Sequence, residues 1–238
     1  MGIVADLHIH TLVSHHAYSS LRENIEQAKA KGLVAIAITD HVYGAPDSGN
    51  TWHFGNMVIW PREMEGLLVL RGAEANIIDM CGSIDLAEND QRVLDIVIAS
   101  LHPYCVKPTD RRAHTQAMAM AVQNPCVRIL GHPASVYYEF DEEEIVRQCV
   151  YTGTLLEINE HAMKKTPQIA AINERLLKLC MRYRAQIVVS SDAHICYEVG
   201  CFSLSHTLLK HIAFPEELVI NGSQERVMEM IQASEQED

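Results

Sequence analysis

No stretch of this 238-residue chain holds the roughly 18 consecutive apolar residues that a membrane-spanning helix needs. Its first residues show neither the basic cluster nor the long apolar core of a secretory leader. No C-x-x-C pair occurs among the seven cysteines, which stand scattered at 81, 105, 126, 149, 180, 196 and 201. An odd, scattered set does not make a disulfide framework, so a reducing, cytoplasmic setting is expected. Most of these thiols read as small buried hydrophobes; Cys105, shortly after His102, is the one expected near a site. Basic residues are also scarce: 19 Lys and Arg against 31 Asp and Glu leave a formal charge of −12. Gripping a polynucleotide takes a clustered basic face, so nucleic acid is not an expected partner. Repeats, low-complexity tracts and evident linkers are absent. A chain of this length makes one large domain or two small ones, and it reads as one, over 1–238.

What the chain does have is apolar residues, 48%, and 13 histidines. Seven apolar, β-branched runs recur: Ile3–His8, Val34–Thr39, Leu67–Gly72, Val93–Ala99, Val127–Leu130, Thr154–Ile158 and Ile187–Ser190. Helical spacing appears between them. Ser20–Lys31 places Leu21, Ile25 and Ala28 on one stripe and stops at Gly32; Asp110–Gln123 is rich in Ala and Met; Asp141 reads as an N-cap before three Glu; Gln168–Arg184 and Ser223–Gln232 complete the set. Strand alternating with helix predicts a parallel sheet in an α/β fold. The segment Ala45–Arg62 reads as a long loop over the site, in which Trp52 and Trp60 act as braces. Ser234–Asp238 reads as a polar tail, frayed at least over 235–238.

The histidines fall where the runs end. His8 and His10 stand two apart at the end of the first run, so strand alternation would point both the same way. His16 follows within one loop. Then come Thr39-Asp40-His41, Glu74, His102, Gly131-His132-Pro133 and Ser191-Asp192-Ala193-His194. Six of the seven run ends therefore carry ligand-type residues. An open sheet would gather ligands from a few strands at one switch point; a closed barrel brings nearly all C-terminal strand ends around one point. A barrel of about seven strands is expected.

His8, His10, His16, His41, Glu74, His102, His132, Asp192 and His194 are too many for one zinc, which takes about four ligands. They suit two or three ions with a bridging carboxylate. Imidazole with carboxylate favours Zn, Mn or Fe over Mg or Ca. Three divalent ions against Glu74 and Asp192 alone would leave the cluster about +4, which calls for hydroxide and an anionic substrate such as a phosphate ester. A metallo-amidohydrolase shares His-x-His but usually carries a carboxylated lysine after its fourth strand. This chain has Ser100-Leu101-His102 there.

These residues resemble the PHP (polymerase and histidinol phosphatase) family. The matching motifs are DLHIHT, His16, TDH ending at His41, Gly72-Ala73-Glu74, His102, Gly131-His132-Pro133 and SDAH ending at His194, within a likeness running from residue 4 to about 222. It is nearest the YcdX-like group of bacterial phosphatases, through Ile59-Trp-Pro-Arg62, Leu70-Arg-Gly-Ala-Glu-Ala-Asn76 and Thr115-Gln-Ala-Met118. The resemblance implies a distorted (β/α)7, TIM-like barrel with a trinuclear site. The first ion would take His8, His10, Glu74 and Asp192. The second would take Glu74, His102 and His132, and the third His16, His41 and His194. Zinc is favoured. Glu74, Asp192 and His194 are the candidate catalytic residues. Arg62, Arg71, His53 and His161 are the candidate substrate contacts, and Asp40 and Asp6 candidate holders of imidazoles.

The expected activity is hydrolysis of small phosphomonoesters by a metal-bound hydroxide. A phosphodiesterase or nuclease using the same metals is the main alternative; a metallo-amidohydrolase or a non-catalytic metal-stabilised module is a weaker one. A small phosphorylated substrate is the expected partner, and a homo-oligomer is left open.

Overall fold

The computed structural model describes residues 2–42, 44 and 52–235. Strands β1 (Ala5–Ile9), β2 (Ala35–Ile38), β4 (Leu67–Asn76), β5 (Ile96–Ser100), β6 (Val127–Leu130), β7 (Leu155–Asn159) and β8 (Ile187–Ser190) pair in parallel in chain order, and the two-residue β3 (Glu63–Met64) adds antiparallel to β4. The last strand returns to the first: Ile9 bridges Ala193, and the His10 amide donates to the Ala193 carbonyl at 2.9 Å. The sheet is thus nearly closed, as a distorted TIM-like barrel. Beyond β3, the strand runs read from the sequence are all present, displaced by a few residues at some ends.

The helices sit where capping chemistry puts them. Ser20 and Glu23 form a reciprocal capping box on α1 (Leu21–Ala30), and Gly32 follows at φ +73°. The short α2 (His53–Asn56) and α3 (Glu88–Gln91) precede α4 (Arg111–Ala121) and α5 (Glu142–Thr152), which are capped by Asp110 and Asp141. Next come α6 (Glu160–Lys165), α7 (Gln168–Tyr183), α8 (Ser203–His211) and α9 (Gln224–Glu235). Helix α8 was not legible because its cap is remote: buried Glu160 accepts from the Leu204 and Ser205 amides, both at 2.9 Å. Of the loop expected over 45–62, residues 45–51 lie outside the described set, and 52–62 contains α2 and a 3-10 turn, Met57–Ile59. Trp60 packs against the core, whereas Trp52 is 80% exposed. The expected tail is helical through Glu235, and 236–238 lie outside the described residues. Among the described residues no helix is long and apolar enough to cross a membrane.

Two apolar layers sandwich the sheet. Helix residues such as Ile25, Ala117, Val146 and Leu177 cover the outer face, against Ile36, Val69, Val97, Leu156 and Val189. Inside the barrel, Ala5, Leu7, Ala35, Ala37, Leu70, Ile96, Ile98, Ile129, Leu155 and Val188 close over Ile220, Val227 and Ile231 from the C-terminal segment. That apolar plug fills the N-terminal half of the barrel, so polar inward-facing residues are confined to the C-terminal half.

Gly131 illustrates how tight that half is. A Cβ there would meet Ser100 Oγ at 2.2 Å and Ile98 Cγ2 at 2.6 Å. Gly131→Ala should therefore destabilise by about 1–3 kcal/mol through overpacking. That corresponds to a fall of roughly 2–4 °C in Tm per kcal/mol, measured by calorimetry.

Candidate metal centre

Glu74 is the hub. It lies on the inner face of β4, 1% exposed, and its two oxygens face different histidines. Oε1 is 2.8 Å from His132 Nε2 and 3.4 Å from His102 Nε2. Oε2 is 2.8 Å from His41 Nδ1, 3.5 Å from His8 Nε2 and 3.6 Å from His10 Nε2. His41 reaches this place because pairing continues beyond β2: the Glu74 amide donates to the Asp40 carbonyl and the Val42 amide to the Glu74 carbonyl, each at 3.1 Å.

A β-bulge in β1 puts the first two histidines into the interior. Asp6 pairs with Ile36 and Ile9 with Ile38, so three steps along β1 match two along β2. Strict alternation would set Asp6, His8 and His10 on one face. The inserted residue instead lets Leu7 join the inner plug and still turns His8 and His10 inward. Their Nε2 atoms are 3.1 Å apart, and His10 Nε2 is 3.0 Å from Asp192 Oδ1. Asp6 faces the other way and accepts from the Ser191 and Gly200 amides, tying β1 to the loop that carries Asp192.

On the opposite side of His10, the rings of His41 and His194 lie at 4.5 and 4.4 Å between centroids. His16 Nε2 stands 3.0 Å from His194 Nε2. All nine residues singled out in the sequence thus meet around one point. The closest groupings of donor atoms are His8, His10 and Glu74; His10, His41 and His194; and His41, Glu74 and His102, each set within 4.8 Å. His41 is thus a member of both the Glu74 grouping and the His194 grouping, and its ring also lies 5.1 Å from that of His16.

The donors suit divalent metal ions. Two nitrogens at about 2.0–2.1 Å from one tetrahedral zinc stand roughly 3.3 Å apart. The His8–His10 and His16–His194 separations of 3.1 and 3.0 Å are close to that. His41 Nδ1 is buried and short of hydrogen-bond geometry to any group, despite its closeness to Glu74. A lone pair so placed can be satisfied by an ion. In His8, His102 and His10 the second ring nitrogen is tied down, as it commonly is in metal-binding imidazoles. His8 Nδ1 is 2.7 Å from Glu157 Oε1, His102 Nδ1 is 2.8 Å from Asn76 Oδ1, and His10 Nδ1 is 3.2 Å from Ser14 Oγ. Asp40 does not touch a ligand imidazole; it accepts from the Thr11 and Ser14 hydroxyls, at 2.7 and 2.8 Å, and so shapes the loop carrying them.

Charge and burial compete throughout. Burial would raise the Glu74 carboxyl, but His41, His102 and His8 outweigh it and hold it well below the usual range. Burial likewise opposes ionisation of Asp192, and His8 and His10 reverse that. Burial, reinforced by the neighbouring His41, lowers His10 to about 3. His8 is pulled down by burial but held well above its usual value by Glu157, Asp192 and Glu74. His132 is raised to about 9, as the hydrogen bond and charge of Glu74 overcome burial.

Of the expected substrate contacts, His161 reaches the histidine cluster, His53 reaches Asp40 beside it, and the two arginines are engaged elsewhere. His161 stacks on His194, with ring centroids 5.3 Å apart, and His53 Nε2 lies 3.5 Å from Asp40 Oδ2. Arg71 alternates with inward-facing Leu70 and Gly72 on β4, so it projects outward, and its guanidinium donates to the Val58 and Trp60 carbonyls. Arg62 is paired with Asp95 Oδ1 at 2.6 Å. Both arginines brace the segment after α2 rather than meet a phosphate. Tyr104 lies flat on the His102 ring, 4.9 Å between centroids, and Cys105 donates its thiol to the Gly44 carbonyl.

Sequence reasoning missed Glu157 and Asn159. Both lie on β7, the one parallel strand to which the sequence assigned no ligand, and both are buried. The available signal was a carboxylate inside the apolar run LLEIN, where an unpaired charge would be costly. Including Glu157 lowers the charge of a three-ion cluster from about +4 to about +3.

A model of the PHP domain family matches residues 6–161. The chain is 35% identical over 231 residues to a probable phosphatase of Clostridium botulinum, covering 97% of this chain and 95% of that protein. A probable phosphatase of Caldanaerobacter subterraneus subsp. tengcongensis is 39% identical over 241 residues, covering 98% and 92%. Among solved structures, the histidinol phosphate phosphatase of Lactococcus lactis, complexed with zinc, L-histidinol and phosphate, superposes with a TM-score of 0.67 at 21% identity, over 90% of this chain and 95% of that one. That likeness is one of fold.

The raised His132 pKa sets a pH dependence for the metal-free protein. Its imidazole rises from 6.5 to about 9 on folding, so its contribution to stability is complete below about 6.5 and lost as pH climbs through about 9. The Tm of chelator-treated protein should fall across this window. A Tm that is flat or rising between these pH values in scanning calorimetry would contradict the assignment.

Proposed function

The chain belongs to the PHP domain family, and from that premise we propose that it is a metal-dependent phosphatase acting on small phosphomonoesters. The observation that carries this reading is the Glu74 carboxylate, with one oxygen turned to His102 and His132 and the other to His8, His10 and His41. That division suits a carboxylate shared by two ions, one held with His8, His10 and Asp192 and one with His102 and His132. His16, His41 and His194 would hold a third. Seven imidazoles with two carboxylates favour zinc, with manganese or iron as alternatives. The names of the relatives, and the zinc and phosphate of the Lactococcus structure, support the same assignment.

When bound, such ions polarise the phosphoryl oxygens and make water a nucleophile near neutral pH. The chain's own residues do the rest. Glu74 and Asp192 set the charge of the cluster well below that of the ions, while leaving it positive enough to prefer a phosphate of about −1.5 to −2. The apolar plug beneath keeps bulk water from the N-terminal side. His161 over His194 and the exposed Tyr104 over His102 are the rings that a leaving group would meet on its way out. The net charge of −12, with 19 Lys and Arg against 31 Asp and Glu, supports a small substrate over a polynucleotide.

Zinc- or manganese-loaded protein should hydrolyse a nitrophenyl phosphate monoester faster than the corresponding bis-ester. Glu74→Ala should lower kcat/KM at least about 100-fold, because even groups that merely hold a ligand in place are worth 10–100-fold. Full metal occupancy without turnover of any phosphate ester would refute the activity, and preference for the diester would favour a phosphodiesterase.

A further inference from the structure

Strand β7 contributes no donor to the nine-residue set, yet its two inward polar side chains reach His8 on β1 and His132 and Asp192 just beyond the ends of β6 and β8. Glu157 is fully buried. Its Oε1 is 2.7 Å from His8 Nδ1, and its Oε2 accepts from the His132 backbone amide at 2.6 Å. Asn159, two residues on and on the same face, donates from Nδ2 to both Glu157 Oε2 and Asp192 Oδ2 at 3.1 Å. Its Oδ1 is taken by the Ala162 amide at 2.8 Å, as the N-cap of α6, which fixes which end of the amide faces the cluster.

These contacts fall on the parts of the site that hold themselves least well. His132 and Asp192 are non-glycine residues at φ +25° and +54°, conformations that L residues avoid unless the surroundings impose them. The Glu157 oxygen holds the backbone of the first, and the Asn159 amide holds the side chain of the second. On Asp192, Oδ2 is occupied by Asn159 while Oδ1 remains toward His8 and His10. On His8, a carboxylate at Nδ1 keeps the hydrogen on that nitrogen and the lone pair of Nε2 toward the centre. Carboxylates in this relation to ligand imidazoles set both ring orientation and basicity.

Resting on the metal-centre reading above, we infer that Glu157 and Asn159 are a positioning pair that sets the zinc affinity of the site built from His8, His132 and Asp192 without touching the metal. A carboxylate is required at 157 because it accepts on both oxygens. A glutamine there can accept from His8 or from the His132 amide, but not from both.

The test uses the full chain, stripped of metal and titrated with zinc against a chromophoric chelator at constant pH. Imidazole tautomers in the zinc-loaded protein are read by long-range nitrogen NMR, and melting is recorded in parallel. Wild type should bind zinc, with His8 carrying its hydrogen on Nδ1. Glu157→Gln should weaken zinc binding about 10–100-fold and change the His8 signal. A purely structural role would lower Tm while leaving affinity well below the melting temperature unchanged. Glu157→Gln binding zinc within about twofold of wild type, with the His8 signal unmoved, overturns the inference. Where that variant does not fold, Asn159→Ala leaves the Glu157 carboxylate in place and removes the donor shared by Asp192 and Glu157 together with an uncharged cap; it should also weaken zinc binding, and unchanged affinity again overturns the pair's role. Wild type that binds no zinc would instead overturn the metal-centre reading itself.

Discussion

One carboxylate buried among five imidazoles organises this protein. Glu74 lies in the barrel interior with His8, His10, His41, His102 and His132 all within 3.6 Å of its oxygens. Left alone there, a carboxylate would cost several kcal/mol of desolvation. Surrounded by imidazoles it stays ionised, and it makes the imidazoles depend on it in turn. The strands that supply these groups come from positions up to 124 residues apart in the chain, from His8 to His132, so the carboxylate is the point at which barrel closure and site assembly become one requirement.

The barrel meets that requirement by separating its interior into two halves. An apolar plug in the N-terminal half takes up the burial that stabilises the sheet, and the polar groups are collected at the C-terminal ends. The bulge in β1 reconciles the two: it allows Leu7 to belong to the plug and His8, the next residue, to belong to the centre. Gly131 does the same just past β6, where any side chain would strike Ser100 and Ile98 beside the His132 that follows.

Much of this was legible in the residues. The parallel barrel followed from seven apolar runs alternating with helical patterns, and from ligand-type residues at nearly every run end. The cap at Asp141 was read as such, because a short polar side chain satisfies amides two or three residues on, and the helical segments read from Ser20 and Asp110 begin at residues that prove to cap in the same way. Helix α8 was not, since Glu160, some 44 residues earlier, does the capping. Arg71 and Arg62 looked available to a phosphate because motif proximity says nothing of the face on which a side chain emerges; on β4 that face is the outer one. Glu157 was passed over because a single acidic residue in a strand gives no local hint of its partner, which lies 149 positions away on β1.

The order of the chain therefore determined the identity of the donors, the strand that carries each, and the closed arrangement able to gather them. Those properties depend on side-chain period and on chemistry local to each run. The tertiary structure decided how the donors are divided around Glu74, which face each arginine takes, and which buried groups, such as Glu157 and Asn159, contact them. Those depend on register, on a one-residue bulge and on contacts between segments far apart in sequence, where a shift of one residue turns a side chain from the interior to the opposite face.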